Sequence, residues 1–304
     1  MNPYAHTSAE GTLPLVTIVV VTYNSAEFVN ETLASISAQD YEGPLQVIVS
    51  DDGSTDDTLA VARSWADIEV DRFSEVAVIK TPHNLGIVGN YNFALRHVKG
   101  EWVKYIAGDD RLRPDCISKF VEATKRSSDK FFICEIVPFD QNGFQKPRLR
   151  CREYFKDADA REQESALAGI PYLIEGPTLF IHKPTLEALG GYDEKYPLVE
   201  DWPTAMKFVY NGYRIEPVDF PLVEYREHQS VSKEGNPRYK RFWKCWYGSV
   251  NDWRMKIAAR DHRPLDWWHA YVQTRLIRWP DCGVGWNIIR KLLMLTDVKR
   301  VFPR

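Results

Sequence analysis

The stretch that decides the fold is residues 84–113, which read NLGIVGNYNFALRHVKGEWVKYIAGDDRLR. Its apolar run at 102–107 predicts a buried strand, and this strand ends on the adjacent carboxylates Asp109-Asp110. An earlier apolar run, residues 45–50, ends in the same way on Asp51-Asp52. Neighbouring carboxylates repel each other unless a cation or a set of hydrogen-bond donors compensates them. Because ligands of open α/β sheets bind outside the carboxyl ends of the strands, we expect both pairs to face one ligand site.

Strands alternate with helical segments in the first part of the chain. Continuous apolar runs at 15–21, 45–50, 76–80 and 102–107 predict four strands, and the segments between them carry apolar residues at helical spacing. Runs rich in β-branched residues are typical of strands that are covered on both faces, as in a parallel sheet. The sequence therefore predicts a doubly wound α/β sheet flanked by helices.

The pattern is less regular beyond Pro114. Strands are predicted at 131–137 and 176–181, and the segments YRIEPV and LVEYREH are interpreted as two further short strands. A polar, charged segment of roughly 30 residues follows the first of these strands, and its length favours a functional loop or lid over a simple connection.

Charge and tryptophan are concentrated in the last part of the chain. The whole chain has a net charge of −3, but residues 238–304 carry 15 Lys/Arg against 5 Asp/Glu. Seven of the ten tryptophans lie beyond residue 240, and a stripe of apolar residues at helical spacing runs from Trp243 to Ile257. The sequence therefore predicts a basic, Trp-rich helical extension at 238–304. Its stripe either packs on the preceding domain or lies on an anionic membrane surface.

Cysteine usage and the apolar runs indicate the compartment. The five cysteines are widely spaced and form no Cys-x-x-Cys or Cys/His cluster, which disfavours a zinc site or a disulfide framework. Residues 1–13 are expected to be flexible, and they lack the basic start and apolar run of a signal peptide. No stretch reaches the ~18 continuous apolar residues of a membrane span. We therefore expect a cytoplasmic protein, with peripheral attachment to the inner face of the cell membrane as an open alternative.

Four segments follow one another in an order that resembles family 2 glycosyltransferases. They are VVTYNSAEFVNETLASISAQDY, VSDDGSTDDT, NLGIVGNYNFAL and a strand that ends in GDD. The resemblance implies an inverting enzyme of the GT-A fold, a doubly wound mixed sheet flanked by helices, that uses nucleotide-sugar donors. It also implies that residues 14–115 form the nucleotide-sugar-binding half and residues 116–237 the acceptor-binding half of the same domain.

The resemblance places the nucleotide sugar at the ends of the early strands. Tyr23 follows a buried strand and offers an aromatic face on which a base could stack. The family uses the acid at Asp52 to read uracil, whereas Asp51 is expected to support the turn. The residues assigned to the nucleotide sugar are Thr22, Tyr23, Asn24, Asp52, Asn84, Gly86, Asp109 and Arg226.

The resemblance also assigns a metal ion and a catalytic base. A departing nucleoside diphosphate accumulates negative charge, and Mn²⁺ or Mg²⁺ held by oxygen ligands would neutralise it. Asp110 is the expected metal ligand, with His228 in the segment YREHQSVS as a second one. Asp201 in the segment VEDW matches the acid that takes the proton from the acceptor hydroxyl, and a helix start would hold it firmly.

Each of these acidic motifs also has a purely structural interpretation. Asp, Gly and Ser are ordinary turn formers, so the segment DDGSTDD could be a solvated β-turn. The loop at Asn84 and Gly86 could likewise be a plain turn. Asp109-Asp110 could cap a helix that begins near Pro114, and Asp201 could cap the helix that follows it.

The leading hypothesis is a metal-dependent inverting glycosyltransferase of the hexosyltransferase type that uses UDP-sugars. Its expected acceptor is a saccharide or a lipid-linked saccharide, as in polysaccharide biosynthesis, and we expect no nucleic-acid partner. One alternative is a nucleotidyltransferase, which usually has a glycine-rich basic phosphate loop after the first strand, and TYNSAEF is not such a loop. The other is a non-catalytic nucleotide-sugar- or glycan-binding protein, which would have lost the metal ligand or the base.

Overall fold

The computed structural model describes residues 12–148, 152–170, 172–227 and 233–278 of the 304-residue chain. Its first part alternates strands and helices, and the four predicted strands are confirmed. The elements are β1 (Val16–Thr22), α1 (Val29–Ser37), β2 (Leu45–Asp51), α2 (Thr58–Glu69), β3 (Glu75–Lys80), α3 (Gly86–Leu95) and β4 (Trp102–Ala107).

The second part adds strands to the same sheet and several helices around it. The strands are β5 (Arg111–Leu112), β6 (Phe131–Asp140), β7 (Gly143–Phe144), β8 (Phe180–His182) and β9 (Ile215–Arg226). The helices are α4 (Cys116–Arg126), α5 (Arg152–Phe155), α6 (Ala160–Gly169), α7 (Lys183–Ala188), α8 (Asp201–Tyr210), α9 (Tyr239–Arg260) and α10 (Pro264–Arg278). A single 3-10 turn, Gly176–Thr178, precedes β8.

The strands form one mixed sheet in the order β3-β2-β1-β4-β8-β6-β9-β5, with β7 paired to β6. The first four strands run parallel to one another, and β8 is antiparallel to both of its neighbours. Alternate residues of β1 enter different buried clusters, Val19 on one face and Ile18 and Val20 on the other. Both faces of the central strands are therefore covered, which explains why these strands are continuously apolar.

The strand order creates a crevice at the carboxyl end of β1. This strand pairs with β2 on one side and with β4 on the other, so the connections leave it in opposite directions. The carbonyl of Thr22 accepts the Asp52 amide at 2.9 Å, and the carbonyl of Val21 accepts the Gly108 amide at 3.0 Å. The turns that follow the three strands are thus held together at the place where α/β sheets bind ligands.

Two expectations for the second part were wrong. The two strands expected in YRIEPV and LVEYREH are one strand, β9 (Ile215–Arg226), whose register against β6 is irregular between Cys134 and Ile136. Such an irregularity accommodates Pro221, which lies opposite Glu135 and cannot donate to a regular ladder. The long polar segment is not a free loop, because it contains α5 and α6 and is tied down by Gln163. The buried Gln163 carboxamide donates to the carbonyl of Ile215 at 2.9 Å and accepts the Ile215 amide at 2.8 Å.

The described part of the C-terminal extension is helical and packs on the domain. The stripe residues Trp246, Val250, Trp253 and Ile257 of α9 are each buried. On α10, in contrast, Leu265 is 76% exposed and Trp268 is 59% exposed. Within the described ranges, we find no helix that combines the length and the apolar character needed to cross a membrane. Residues 279–304, which carry the rest of the predicted extension, lie outside the described residues.

Candidate active site

Asp109 and Asp110 lie where β4 ends, and Asp110 joins β4 to β9. An Asp110 carboxylate oxygen accepts the Arg226 amide at 2.8 Å, and the Asp110 carbonyl accepts the Thr32 hydroxyl at 2.7 Å. The Asp110 side chain is 2% exposed, and burial together with the charge of Asp109 raises its pKa well above the ordinary range. The helix-cap interpretation is wrong, because the next helix, α4, begins only at Cys116.

Arg226 has partners other than those predicted for it. Its guanidinium donates to the Asp109 carbonyl at 2.9 Å and to the Glu31 carboxylate at 2.6 Å. The same group lies 4.5 Å from the ring centres of Phe28 and Phe139, between the two rings. Arg226 therefore fixes the loop that carries Asp109, and its contact with a diphosphate stays a prediction. His228 lies outside the described residues.

The Asp51 carboxylate holds the first two strand ends together. It accepts the Thr22 hydroxyl at 3.2 Å, the Ser54 amide at 2.9 Å and the Ser54 hydroxyl. Asn24 adopts a positive φ of 51°, and its side-chain oxygen accepts the Thr55 amide at 2.9 Å. This turn is therefore a hydrogen-bonded unit and not a solvated β-turn, because Asp51 is only 1% exposed.

Asp52 faces the start of α3. Its carboxylate accepts the amides of Leu85 at 2.7 Å and Gly86 at 2.9 Å, and the Thr81 hydroxyl at 3.1 Å. Burial raises the pKa of Asp52, and these three hydrogen bonds lower it in part. The Asn84 side chain donates to the Asp52 carbonyl at 3.1 Å, so the structure brings Asp52, Asn84 and Gly86 together as predicted from the motifs. A base contact by Asp52 stays a prediction, since the carboxylate already accepts three protein donors.

Gly86 needs the freedom of a glycine. Its φ is 79°, a left-handed conformation that side chains rarely adopt. A Cβ atom there would lie 3.4 Å from the Pro197 carbonyl, which also accepts the Val88 amide at 3.2 Å. The loop before α3 is therefore pressed against the segment that leads to α8. Tyr23 is 38% exposed, and the Arg238 guanidinium lies 5.2 Å from the centre of its ring.

Asp201 and Glu200 stand at the start of α8. An Asp201 carboxylate oxygen accepts the Trp202 amide at 2.6 Å, but the helix-cap interpretation is wrong, because Asp201 is the first residue of α8 and Glu200 holds the N-cap position. Burial raises the pKa of both carboxyl groups, and the charge of Asp201 raises that of Glu200 further. A Cβ atom on Gly176 would lie 2.5 Å from a Glu200 carboxylate oxygen, so a larger residue there would displace the Glu200 side chain. A carboxylate with a raised pKa is suited to accept a proton near neutral pH.

One cleft of about 740 Å³ brings the two acidic sites together. Asp109, Asp110, Glu200 and Asp201 all line it. The residues assigned to the nucleotide base lie along the neighbouring ends of β1 and β2 and at the start of α3. The carboxylates predicted to bind a metal ion and the predicted catalytic base therefore line one cavity. The residues predicted to bind the nucleotide lie next to it.

Two residues in and behind the cleft, Arg148 and Lys104, were missed from the sequence. Arg148 pairs with Glu175 at 3.1 Å and with Glu227 at 3.5 Å, which links three segments far apart in the chain. The fully buried Lys104 of β4 donates to the carbonyls of Tyr105, at 2.9 Å, and Pro177. It thereby ties β4, which leads to Asp109 and Asp110, to the turn beside Asp201. The one cation within the apolar run of β4 was a signal that could have identified Lys104, whereas the Arg148 pairs left no local signal.

The carboxylates at the end of β4 suit a divalent cation. Mg²⁺ is commonly held by one or two carboxylates together with substrate phosphates and waters. The neighbouring carboxylates of Asp109 and Asp110 line the same cleft and meet that requirement, and burial together with the charge of Asp109 raises the pKa of Asp110, as expected for a carboxylate with little compensation from the protein. Over the described part of the chain, no group of three His, Cys, Asp or Glu side chains forms a cage for a metal ion. The donor set therefore fits an ion that is shared with a phosphate ligand.

Comparison with known proteins places the chain in a glycosyltransferase family. A family model described as glycosyl transferase family 2 matches residues 17–186, and the chain belongs to this family. An uncharacterized glycosyltransferase of Rickettsia typhi, RT0329, is 28% identical over 226 residues, which cover 71% of this chain and 65% of the relative. The matches cover 65% or less of the length of this relative and of two further curated relatives.

Solved structures confirm the GT-A fold predicted from the motifs. Staphylococcus aureus TarS 1-349 superimposes with a TM-score of 0.64 at 17% identity, covering 94% of this chain and 82% of TarS 1-349. The mannosyltransferase PcManGT of Pyrobaculum calidifontis, solved with GDP-Man and Mn²⁺, gives a TM-score of 0.58 at 23% identity, covering 100% of this chain and 80% of that chain. TarS 1-349 has also been solved in complex with UDP-GlcNAc.

Proposed function

We propose that this glycosyltransferase moves a sugar from a nucleotide donor to a hydroxyl group of a saccharide, with inversion at the anomeric carbon. The observation that carries the proposal is the cleft in which Asp109 and Asp110 share one cavity with Asp201. A single displacement needs a leaving-group site and a base in the same cavity, and these residues supply both.

Asp201 is the proposed base. It accepts the proton of the acceptor hydroxyl while the oxygen forms a bond to the anomeric carbon. The bond from that carbon to the diphosphate breaks at the same time, and its electron pair leaves with the nucleoside diphosphate. A divalent cation on the Asp109 and Asp110 carboxylates would neutralise the charge that develops on the diphosphate. The start of α8 holds Asp201 in place through the 2.6 Å bond from the Trp202 amide.

UDP is the proposed nucleotide of the donor. Asp52 can accept the N–H of uracil, and the half-exposed ring of Tyr23 can stack on the base. Relatives of the same fold have been solved with UDP-GlcNAc and with GDP-Man, so both nucleotides belong in the test. The family match argues against the nucleotidyltransferase alternative.

The test is release of nucleoside diphosphate from a panel of UDP-sugars and GDP-mannose, with Mn²⁺, with Mg²⁺ and with chelator. Release that requires the metal, and that rises when a saccharide acceptor is added, supports a metal-assisted transferase. Tight donor binding without release under any of these conditions supports the non-catalytic alternative and contradicts the proposal.

A second proposal concerns the C-terminal extension, which we expect to bind anionic membrane surfaces. Leu265 and Trp268 are largely exposed on α10, and Lys240, Arg241 and Lys244 are exposed on α9. Each basic residue near such a surface contributes about 1 kcal/mol, and inserted tryptophan adds to that. The protein should co-sediment with anionic vesicles, less so at high salt and after replacement of these basic residues by Gln. Vesicle binding that changes neither with salt nor after these replacements would contradict the membrane proposal and would indicate that the extension only packs on the domain.

A further inference from the structure

The cleft beyond Asp201 has an aromatic wall formed by Tyr172, Phe242 and Trp243. Tyr172 stacks on Trp246 with ring centres 5.0 Å apart and planes 17° apart, and it meets Trp243 edge-on at 5.3 Å. Trp246 is 6% exposed and belongs to the core, whereas Tyr172, Phe242 and Trp243 are half-buried. The wall therefore has one side supported by the core and one side open to the cavity.

Tyr172 is held in this wall against a conformational cost. Its φ is 61°, in the left-handed region that a non-glycine residue enters at a cost of order 1 kcal/mol or more. The stack on Trp246 and the contact with Trp243 compensate for this cost and fix the plane of the ring. A fixed aromatic face at the edge of a polar cavity is a preformed surface for the apolar C–H face of a sugar ring.

The rest of the cleft is strongly acidic. Among the described residues that line it, six are acidic and two are basic: Asp109, Asp110, Glu175, Glu200, Asp201 and Glu227, against Arg148 and Lys233. The Arg148 guanidinium is already paired with Glu175 and Glu227. A divalent cation bound together with the donor diphosphate would offset the negative charge of that diphosphate. The cleft would then keep its excess of acidic over basic side chains. A carboxylate or phosphate group on the acceptor would therefore meet like charges in a partly desolvated cavity.

We propose that the reacting sugar of the acceptor carries no anionic group, and that it stacks on the wall of Tyr172, Phe242 and Trp243 while its hydroxyl faces Asp201. This inference rests on the proposed function and narrows its acceptor to one chemical class. The aromatic wall supplies contact area, and the carboxylates accept the sugar's hydroxyl groups. The charge of the cleft excludes uronic acids and sugar phosphates from the reacting position.

The test compares three matched pairs of methyl glycosides: glucoside with glucuronide, galactoside with galacturonide, and mannoside with mannuronide. Within a pair, the two sugars differ only in whether carbon 6 bears a hydroxyl group or a carboxylate. Binding to the protein loaded with UDP and Mn²⁺ is followed by tryptophan fluorescence, since Trp243 and Trp246 lie in or behind the wall. At least one neutral sugar should bind tenfold or more tightly than its uronide partner. The ratio of the two affinities should fall as the salt concentration rises, because salt screens the charges.

Substitutions in the wall separate stacking from general damage. Tyr172→Ala should weaken binding of the neutral sugar at least tenfold, whereas Tyr172→Phe, which keeps the ring, should restore it. Tyr154→Ala, the same change at an exposed tyrosine outside this cleft, is the control and should leave binding unchanged. Equal binding of neutral sugars and uronides, binding of neither class at tens of millimolar, or an unchanged affinity in Tyr172→Ala overturns the inference.

Donor hydrolysis, measured as UDP released to water in the absence of acceptor, separates this inference from the proposed function. If UDP is released but the paired sugars bind equally well, the proposal of an uncharged acceptor sugar is refuted, whereas the proposed transferase function still stands. Sugar binding that depends on Tyr172, combined with no release from any donor, supports the saccharide site and refutes the transferase.

Discussion

Replacing Asp201 with asparagine removes the proposed base with little change in shape. The Asp201 carboxylate accepts the Trp202 amide at 2.6 Å, and the amide oxygen of asparagine can accept the same bond. The start of α8 should therefore survive, while the side chain can no longer take a proton at neutral pH. A positioned base contributes ~10²–10⁴ in rate, which corresponds to about 2.7–5.4 kcal/mol at 1.36 kcal/mol for each factor of ten. We expect transfer to fall by that factor.

Glu200→Gln is the matched control for this change. Burial and the charge of Asp201 both raise the pKa of Glu200. Glutamine keeps nearly the shape of glutamate, and Glu200 is not the proposed base, so transfer should stay within a few-fold of the parent rate. The pair of variants thus distinguishes loss of the base from disturbance of the loop before α8.

The pH dependence of transfer is a second test, and the pKa of Asp201 determines its direction. Burial raises the pKa of Asp201, and the base must be ionised to accept a proton. Transfer should therefore be lost as the pH falls through this raised pKa, at a higher pH than the value of about 4 for an ordinary aspartate. The acid limb should disappear in Asp201→Asn and persist in Glu200→Gln.

Calorimetry of nucleotide binding completes the assay, because the base contacts the acceptor and not the nucleotide. Asp201→Asn should bind UDP as the parent does while transfer falls. Loss of nucleotide affinity together with transfer would make Asp201 a donor-site or structural residue. Parent-like transfer in Asp201→Asn would refute the assignment directly.

Three further changes test other parts of the site. Asp110→Asn should reduce donor turnover on the order of 10²-fold even in excess Mn²⁺, since metal charge stabilisation is worth several kcal/mol; parent-like turnover would exclude Asp110 as a ligand. UDP should bind more tightly than GDP, and Asp52→Ala should narrow that difference, whereas equal affinities in the parent protein would argue against uracil recognition. Lys104→Met leaves two buried carbonyl groups without the Lys104 ammonium donor, so the free energy of unfolding measured in urea should fall by about 1–3 kcal/mol. An unchanged urea midpoint would contradict a net stabilising role for Lys104, because the cost of burying its charge would then equal the gain from its two hydrogen bonds.

The strands and the acidic motifs were predictable because their signals are local. A run of β-branched residues identifies β1 without any knowledge of its neighbours, and the pair Asp109-Asp110 follows the apolar run of β4 after a single glycine. The segment VEDW likewise marked a helix start with an acid at Asp201. Predictions of this kind succeed when one element contains all of the information.

The partners of long side chains were not predictable, because they depend on the assembled sheet. Arg226 reaches Glu31, on α1, and is held between Phe28 and Phe139, and no pattern in the sequence connects these residues. The single strand β9 was missed for a similar reason. Its two prolines suggest a break when it is considered alone, and the change of register against β6 lies opposite the second of them, Pro221.

The most direct test of the central proposal is the configuration of the product. The parent protein is incubated with Mn²⁺, an α-configured UDP-sugar that it consumes and a neutral methyl glycoside, and the new linkage is determined by NMR. We predict release of UDP and a β-linked product, formed in one displacement for which Asp201 takes the proton. An α-linked product, or consumption of the donor without any new glycosidic bond, would contradict inversion at this site.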